Sequence, residues 1–75
     1  MDFNEKLREY RKQSGLSQGK LAETLNVSRQ AITKWESGNG MPDISNLKAL
    51  SAVFNVSVDE LLSEETVKPR YPYES

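Results

Sequence analysis

The sequence contains no cysteine and no histidine. Disulfides and thiolate metal sites are therefore excluded, and the usual general base and the commonest metal ligand are missing as well. No apolar run is long enough to cross a bilayer as a helix, and the charged N-terminus, MDFNEKLREY, is unlike a signal peptide. We therefore expect a cytoplasmic protein without a metal, a cofactor or a membrane attachment.

With only 75 residues, the chain can form one small domain. A domain of this size buries a modest share of its surface, so packing and dimerisation must supply the stability that disulfides do not. The formal net charge is −1, but residues 10–40 carry a surplus of three basic groups and residues 51–75 a surplus of three acidic groups. A local basic surface, and not the net charge, governs attraction to phosphates.

Five short helices are predicted from apolar periodicity and capping residues. The first covers about residues 3–13 and begins with a capping box formed by Asp2 and Glu5. The later helices are predicted to begin at Ser17, Ser28, Asp43 and Ser57, the last with a capping box to Glu60. No alternating apolar run indicates a strand. The prediction is an all-α, compact bundle of about five short helices over residues 1–63, followed by a flexible tail or linker over residues 64–75.

Two of the turns between helices have nearly the same sequence. LNVS at residues 25–28 and FNVS at residues 54–57 each place asparagine, valine and a serine cap in order. Asparagine tolerates the left-handed backbone that commonly ends a helix. Arg29 and Gln30 follow the first turn, whereas Val58, Asp59 and Glu60 follow the second. Because carboxylates repel nucleic acid, only the first turn introduces a helix suited to phosphates or bases.

The third predicted helix, residues 28–37, separates polar from apolar side chains. At about 100° per residue, one arc of about 140° holds five polar residues, which are Arg29, Gln30, Thr33, Lys34 and Ser37. Ala31, Ile32 and Trp35 lie opposite and must be buried. A merely solvated face usually mixes Glu with Lys, but this arc contains no acidic residue. Arg, Gln and Thr are side chains that recognise guanine, adenine and the thymine methyl group in the major groove.

Residues 16–38, LSQGKLAETLNVSRQAITKWESG, resemble the helix-turn-helix of lambda-repressor-like regulators of the Cro type, also called xenobiotic-response-element-like. The apolar positions of that motif correspond to Leu21, Leu25, Val27, Ile32 and Trp35, and its small residue to Ala22. The motif often has glycine where this chain has Asn26. The flanking helices fit too, so the resemblance covers about residues 3–62. It implies a sequence-specific DNA-binding transcriptional regulator, most commonly a repressor, that binds a palindromic operator as a symmetric dimer.

The resemblance also implies roles for individual residues in binding double-stranded DNA. It places helix 28–37 in the major groove, with base contacts from Arg29, Gln30, Thr33 and Lys34. Phosphate contacts are implied for Gln18, Ser28, Ser37, Asn39 and Gly40, of which the last three belong to a loop whose N–H groups commonly meet phosphate. Gln18 is also implied to support the recognition helix. Arg11 and Glu36 match a structural pair that ties helix one to the end of helix three.

A protein-interaction module, such as an antitoxin or an adaptor, is the alternative function, because a fold does not fix a function. Val58 and Leu62, with Tyr71 or Tyr73 in the tail, would then form a homodimer or partner surface. Both functions can coexist, because a homodimer formed through helices four and five leaves helix three free for DNA.

Two short patterns imitate enzyme motifs. Ser17-x-x-Lys20 has the spacing of the nucleophile motif of penicillin-binding enzymes, but so short a chain has no room for the other motifs that this chemistry needs. Gly38-Asn39-Gly40 begins like a dinucleotide fingerprint, but no strand precedes it. We therefore expect no catalytic residues.

Overall fold

The computed structural model describes residues 1–64, so all of the predicted tail except its first residue, and with it Tyr71 and Tyr73, lies outside the described residues. Five α-helices follow one another along the chain: α1 Phe3–Gln13, α2 Gln18–Leu25, α3 Arg29–Glu36, α4 Ile44–Phe54 and α5 Val58–Leu62. Between residues 1 and 64 there is no β-strand. The predicted all-α bundle of five short helices is confirmed.

Side-chain caps begin the helices where the sequence predicts them. The side-chain oxygens of Ser17, Ser28, Asp43 and Ser57 each accept the N–H three residues later at 3.0–3.1 Å. In front of α1, Glu5 Oε1 accepts the N–H of Asp2 at 3.4 Å. The capping box predicted for α5 is only half correct. Ser57 Oγ accepts the N–H of Glu60, but the Glu60 carboxylate does not return to the N–H of Ser57. It turns to α1 instead, where its Oε2 accepts the Tyr10 hydroxyl at 3.0 Å.

The two similar turns have nearly identical backbone geometry. Asn26 has φ 59° and ψ 45°, and Asn55 has φ 58° and ψ 46°. The N–H of Val27 donates to Ala22 O at 2.9 Å, and that of Val56 donates to Ser51 O at 3.0 Å. Both valines pack against the core. Each turn therefore ends a helix with a left-handed asparagine and secures the following corner with a partly buried valine.

Each helix contributes at least one side chain to a single apolar core. Helix α1 packs against α3 and α5, α2 against α3 and α4, and α4 against α5. The Tyr10 ring stacks on the Phe54 ring with centroids 5.5 Å apart. The predicted apolar side of α3 is inside, since Ile32 is fully buried and Trp35 nearly so. The buried cluster consists of Leu7, Tyr10, Leu21, Ala22, Ile32, Trp35, Leu50, Phe54 and Leu61.

Lys6 of α1 is completely buried and holds the end of α5. Its Nζ donates to Glu60 O at 2.6 Å, to Ser63 O at 3.0 Å and to Ser63 Oγ at 2.6 Å. The Glu60 carboxylate lies 3.6 Å from the same ammonium group, and the N-terminal amine donates to Glu64 O at 2.8 Å. The start of α1 is therefore tied by hydrogen bonds to the end of the described chain.

The left-handed turns give a stability prediction. Replacement of Asn26 by alanine should lower the free energy of unfolding by about 1 kcal/mol, because a β-carbon without a polar group is disfavoured at positive φ. Asn26→Gly should be close to neutral, because glycine has no such penalty. Urea denaturation measures both variants, and Asn55→Ala provides the matched second turn. Equal stability of the alanine and glycine variants would contradict the geometric explanation.

Candidate nucleic-acid interface

The polar arc predicted for α3 lies on the protein surface. Arg29, Gln30, Thr33 and Lys34 are all exposed, whereas Ile32 and Trp35 face the core. Neither Arg29 nor Lys34 forms an ion pair with any of residues 1–64. Two cationic side chains and one amide are therefore available to an external ligand on one face of a short helix.

A buried carboxylate fixes the position of α3. Glu36 is only 3% exposed. Its Oε2 accepts Arg11 Nε at 2.6 Å, and its Oε1 accepts Arg11 Nη2 at 3.1 Å. The Arg11 guanidinium also donates to Leu16 O at 2.9 Å. The bidentate ion pair between Arg11 and Glu36 joins α1 to the end of α3, and the bond to Leu16 O adds the α1–α2 connection. The planar guanidinium permits all three bonds.

Arg8 is part of the same arrangement, although no motif in the sequence assigned it a role. Its Nη2 donates to Glu36 O at 3.2 Å, and its Nε lies 4.0 Å from Glu36 Oε1. Arg8 precedes Arg11 by three residues, so both arginines share one face of α1. That spacing was the available sequence signal for a second arginine at the end of α3.

Gln18, at the start of α2, connects the buried carboxylate to the exposed arc. Its Nε2 donates to Glu36 Oε1 at 3.0 Å, and its Oε1 accepts the Thr33 hydroxyl at 3.2 Å. Thr33 Oγ1 is also 3.2 Å from Arg29 O. Gln18 therefore supports α3 from the side, and one of its two amide hydrogens remains for another acceptor.

The loop after α3 differs in detail from the sequence expectation. The N–H of Ser37 donates to Thr33 O at 3.0 Å, and that of Asn39 donates to Lys34 O at 2.9 Å. These two N–H groups are therefore occupied within the protein and are not available to a phosphate. The side chains of Ser37 and Asn39, which are 3.1 Å apart in a hydrogen bond, are exposed together with Gly40.

Ser28 keeps a donor although it caps α3. Its Oγ accepts the N–H of Ala31 at 3.1 Å. A hydroxyl that accepts through its oxygen still has its own hydrogen to donate. Ser28 is exposed, so this hydrogen is accessible beside the first turn of α3.

Burial changes the charge balance that the sequence suggests. Glu36 counts as an acidic residue of the basic segment, but it is enclosed and paired with Arg11. On α2, Lys20 is 3.1 Å from Glu23, and both side chains are largely exposed. The exposed charges of α3 itself are those of Arg29 and Lys34, so this helix presents a positive surface.

Two other classes of site are absent from residues 1–64. No helix in this range is long and apolar enough to span a membrane. The same range has no cluster of acidic side chains suited to hold a metal ion.

The arrangement of an outward polar helix supported by the preceding helix is that of a helix-turn-helix protein. A family model described as helix-turn-helix matches residues 7–61. The chain therefore belongs to the Cro/C1-type helix-turn-helix family of DNA-binding transcription regulators, as the sequence resemblance predicts.

Named relatives and solved structures agree with this family. The HTH-type transcriptional activator BcrR of Enterococcus faecalis is 55% identical over 65 residues, which cover 87% of this chain and 32% of that protein. The P22 c2 repressor, solved with a synthetic operator, has a TM-score of 0.81 at 34% identity and covers 87% of this chain and 98% of that chain. A SinR protein/SinI protein complex has a TM-score of 0.77 at 35% identity, over 83% of this chain and 61% of that chain.

The chain spans only part of the curated relatives that it matches. It covers about a third of BcrR and just over half of the Bacillus subtilis regulator YonR, to which it is 40% identical over 60 residues and 80% of its own length. The similarity therefore concerns the helix-turn-helix region of these proteins.

The buried pair gives a second stability prediction. Arg11→Met should lower the free energy of unfolding by about 3 kcal/mol, because it leaves the enclosed Glu36 carboxylate without its cation. The double variant Arg11→Met/Glu36→Leu should recover much of this loss, since it removes both charges. Chemical denaturation of the two variants measures the difference. A double variant less stable than Arg11→Met alone would contradict this account.

Proposed function

We propose that this chain is a sequence-specific, cytoplasmic regulator that inserts α3 into the major groove of double-stranded DNA. The single observation that carries the proposal is the exposed, acid-free arc of α3. Helices α1 and α2 fix the orientation of this arc through Glu36, so α3 can dock without a large loss of backbone conformational entropy. Residues 1–63 form the DNA-binding domain in this proposal, and the function requires no catalytic group.

The proposed base contacts come from side chains whose chemistry suits base edges. The arginine suits guanine, the glutamine suits adenine, and the lysine donates to any acceptor on the groove floor. These contacts are assigned to Arg29, Gln30, Thr33 and Lys34. Groups around α3 would contact the phosphates and fix its register. They are Gln18 and Ser28 through their remaining hydrogens, and Ser37, Asn39 and Gly40 in the loop. Asn39 has a second amide hydrogen to donate, whereas the Ser37 hydroxyl must first release its bond to Lys34 O.

We further propose that two copies bind a palindromic operator through a symmetric interface on α4 and α5. Ile44 at the start of α4 is 61% exposed, and Leu62 at the end of α5 is 47% exposed. Val58, on α5, is half-buried. Large apolar side chains at the surface gain from burial in a dimer, and an interface on these helices leaves α3 free.

Repression is the proposed direction of regulation. A small domain bound across a promoter blocks polymerase by occupying the same DNA, and this needs no further contact surface. Similar proteins include regulators of both kinds, since BcrR is named an activator and P22 c2 a repressor. The position of the operator relative to the promoter therefore decides the outcome.

A protein-interaction function is the second candidate. It is favoured by the exposed Met41 and Ile44, which are 56% and 61% exposed, and by the similarity to a chain of a SinR protein/SinI protein complex. In this case the exposed apolar side chains bind a partner protein, and the arc of α3 has no ligand.

Base and charge variants test the DNA-binding proposal. Gln30→Ala should relax the preference at one base pair and cost about 1–3 kcal/mol on the preferred sequence. Lys34→Ala should weaken binding to every sequence that the chain binds, because it removes a positive charge from the interface. Selection from randomised oligonucleotides, followed by titrations over a range of salt concentrations, measures both effects.

Lys12, exposed on α1, is the matched control for the loss of one charge, and Lys12→Ala should change neither the base preference nor the overall affinity. A double variant Arg29→Ala/Gln30→Ala that binds the selected operator as tightly as the unaltered chain would show that α3 does not occupy the groove.

The dimer proposal has its own test. Leu62→Asp should convert the protein to a monomer and weaken binding to a two-half-site operator, because a charge on the apolar interface must be desolvated. Binding to a single half-site should stay unchanged. Sedimentation at several protein concentrations gives the mass, and Glu64→Asp, next to the same helix, is a conservative control. A monomer of the unaltered chain at high concentration, on or off DNA, would refute the symmetric interface.

A further inference from the structure

The Gln18 amide is held in one orientation by the carboxylate behind it. An ionised carboxylate accepts hydrogen bonds and cannot donate them. Because Glu36 Oε1 lies 3.0 Å from the amide nitrogen of Gln18, the amide oxygen must be on the other side, where Thr33 lies. Arg11 keeps the carboxylate in place with two bonds of its own. The positions of the amide nitrogen and the amide oxygen of Gln18 are thus set before any ligand binds.

The fixed amide in turn decides what Thr33 can do. The Thr33 hydroxyl has one hydrogen, and its two neighbours, Gln18 Oε1 and Arg29 O, are both acceptors at 3.2 Å. The hydrogen is therefore committed inside the protein. The lone pairs of the oxygen are left to accept, and the side chain is exposed on the arc.

We propose that Glu36 is a positioning residue that, through Gln18, makes Thr33 a hydrogen-bond acceptor toward the major groove. This inference rests on the proposed function. In the major groove, adenine and cytosine present an amino hydrogen, whereas guanine and thymine present only acceptors for hydrogen bonds. The base that contacts the Thr33 oxygen is therefore adenine or cytosine, and not the thymine that the sequence pattern suggests for a threonine. Guanine and thymine are rejected at that position.

Thr33 differs in this respect from its neighbours on the arc. Arg29 and Lys34 carry only donors, and the exposed Gln30 carries both donors and acceptors on a flexible side chain. The base preferences of these three side chains are adjusted when the DNA binds, because the side chains can change conformation. The preference of Thr33 is fixed by three helices, because Arg11, Gln18 and Glu36 belong to α1, α2 and α3.

The test uses the full 75-residue chain and the operator selected from randomised oligonucleotides. Affinity is measured at constant salt with each of the four bases at every contacted position. The unaltered chain should prefer adenine or cytosine over guanine and thymine at one position by about fivefold, as expected for one neutral hydrogen bond. Thr33→Val should abolish this preference, and Thr33→Ser, which retains the hydroxyl, should keep it. An unchanged base profile for Thr33→Val overturns the inference.

Two further variants test the chain of hydrogen bonds from Glu36 through Gln18 to Thr33, which we call the relay. Gln18→Met removes the amide at similar size and leaves Arg29 O as the one internal acceptor for the Thr33 hydroxyl, so the hydrogen is held by one group instead of two. The preference for adenine or cytosine should therefore fall below fivefold at the position identified with Thr33→Val, and the variant that combines Gln18→Met with Thr33→Val should match Thr33→Val there. Arg11→Met/Glu36→Leu, which removes the carboxylate without leaving a buried charge, should have the same effect on that position.

The outcomes separate the relay from the proposed function. Lys6→Met, which disrupts the buried contacts between α1 and α5, should lower stability and leave all base preferences unchanged. If Gln18→Met weakens binding to all four bases by one common factor, Gln18 is only a support or a phosphate contact, and this inference is overturned while DNA binding stands. Loss of all sequence preference in the unaltered chain would overturn the proposed function together with the relay.

Discussion

The interaction on which the rest of the molecule depends is the enclosure of one carboxylate, that of Glu36, among groups of three helices. A buried ion is tolerated only when its charge and its hydrogen-bonding capacity are both satisfied. Arg11 supplies the charge and two donors, and Gln18 supplies a third donor. Meeting these demands fixes the relative placement of α1, α2 and α3, because Arg11 belongs to α1, Gln18 to α2 and the carboxylate to α3.

The comparison of the two asparagine turns shows how little of the function lies in the backbone. Asn26 and Asn55 have the same left-handed geometry, and both corners are secured by a valine and a serine cap. Only the residues that follow are different. Asp59 and Glu60 begin α5, and Glu60 is used inside the protein by Tyr10 and Lys6. Arg29 and Gln30 begin α3 and remain at the surface.

Local chemistry made most of the fold predictable from the sequence. Caps at Ser17 and Ser28 and the asparagine at residue 26 depend on neighbours within a few residues, so they are visible in a short window. Lys6 was not predictable in this way, because its acceptors lie 54 and 57 residues away and a lysine on a helix normally marks the solvent side. The family resemblance implied that Gln18 supports the recognition helix, but not that Thr33, 15 residues later, is the residue it bonds to. The contacts proposed with DNA remain predictions.

Helix α1 is the structural frame of the domain, although none of its residues is proposed to contact DNA. Its first turns hold the end of α5 through Lys6, and its last turns hold the end of α3 through Arg11. Lys6 contacts carbonyls at the C-terminal end of α5, where unpaired carbonyls and the helix dipole favour positive charge. Arg11 instead pairs with the side-chain carboxylate of Glu36, the last residue of α3, while Arg8 donates to the carbonyl of the same residue. Cations of one helix, α1, therefore hold both the proposed groove-facing helix and the end of the described chain.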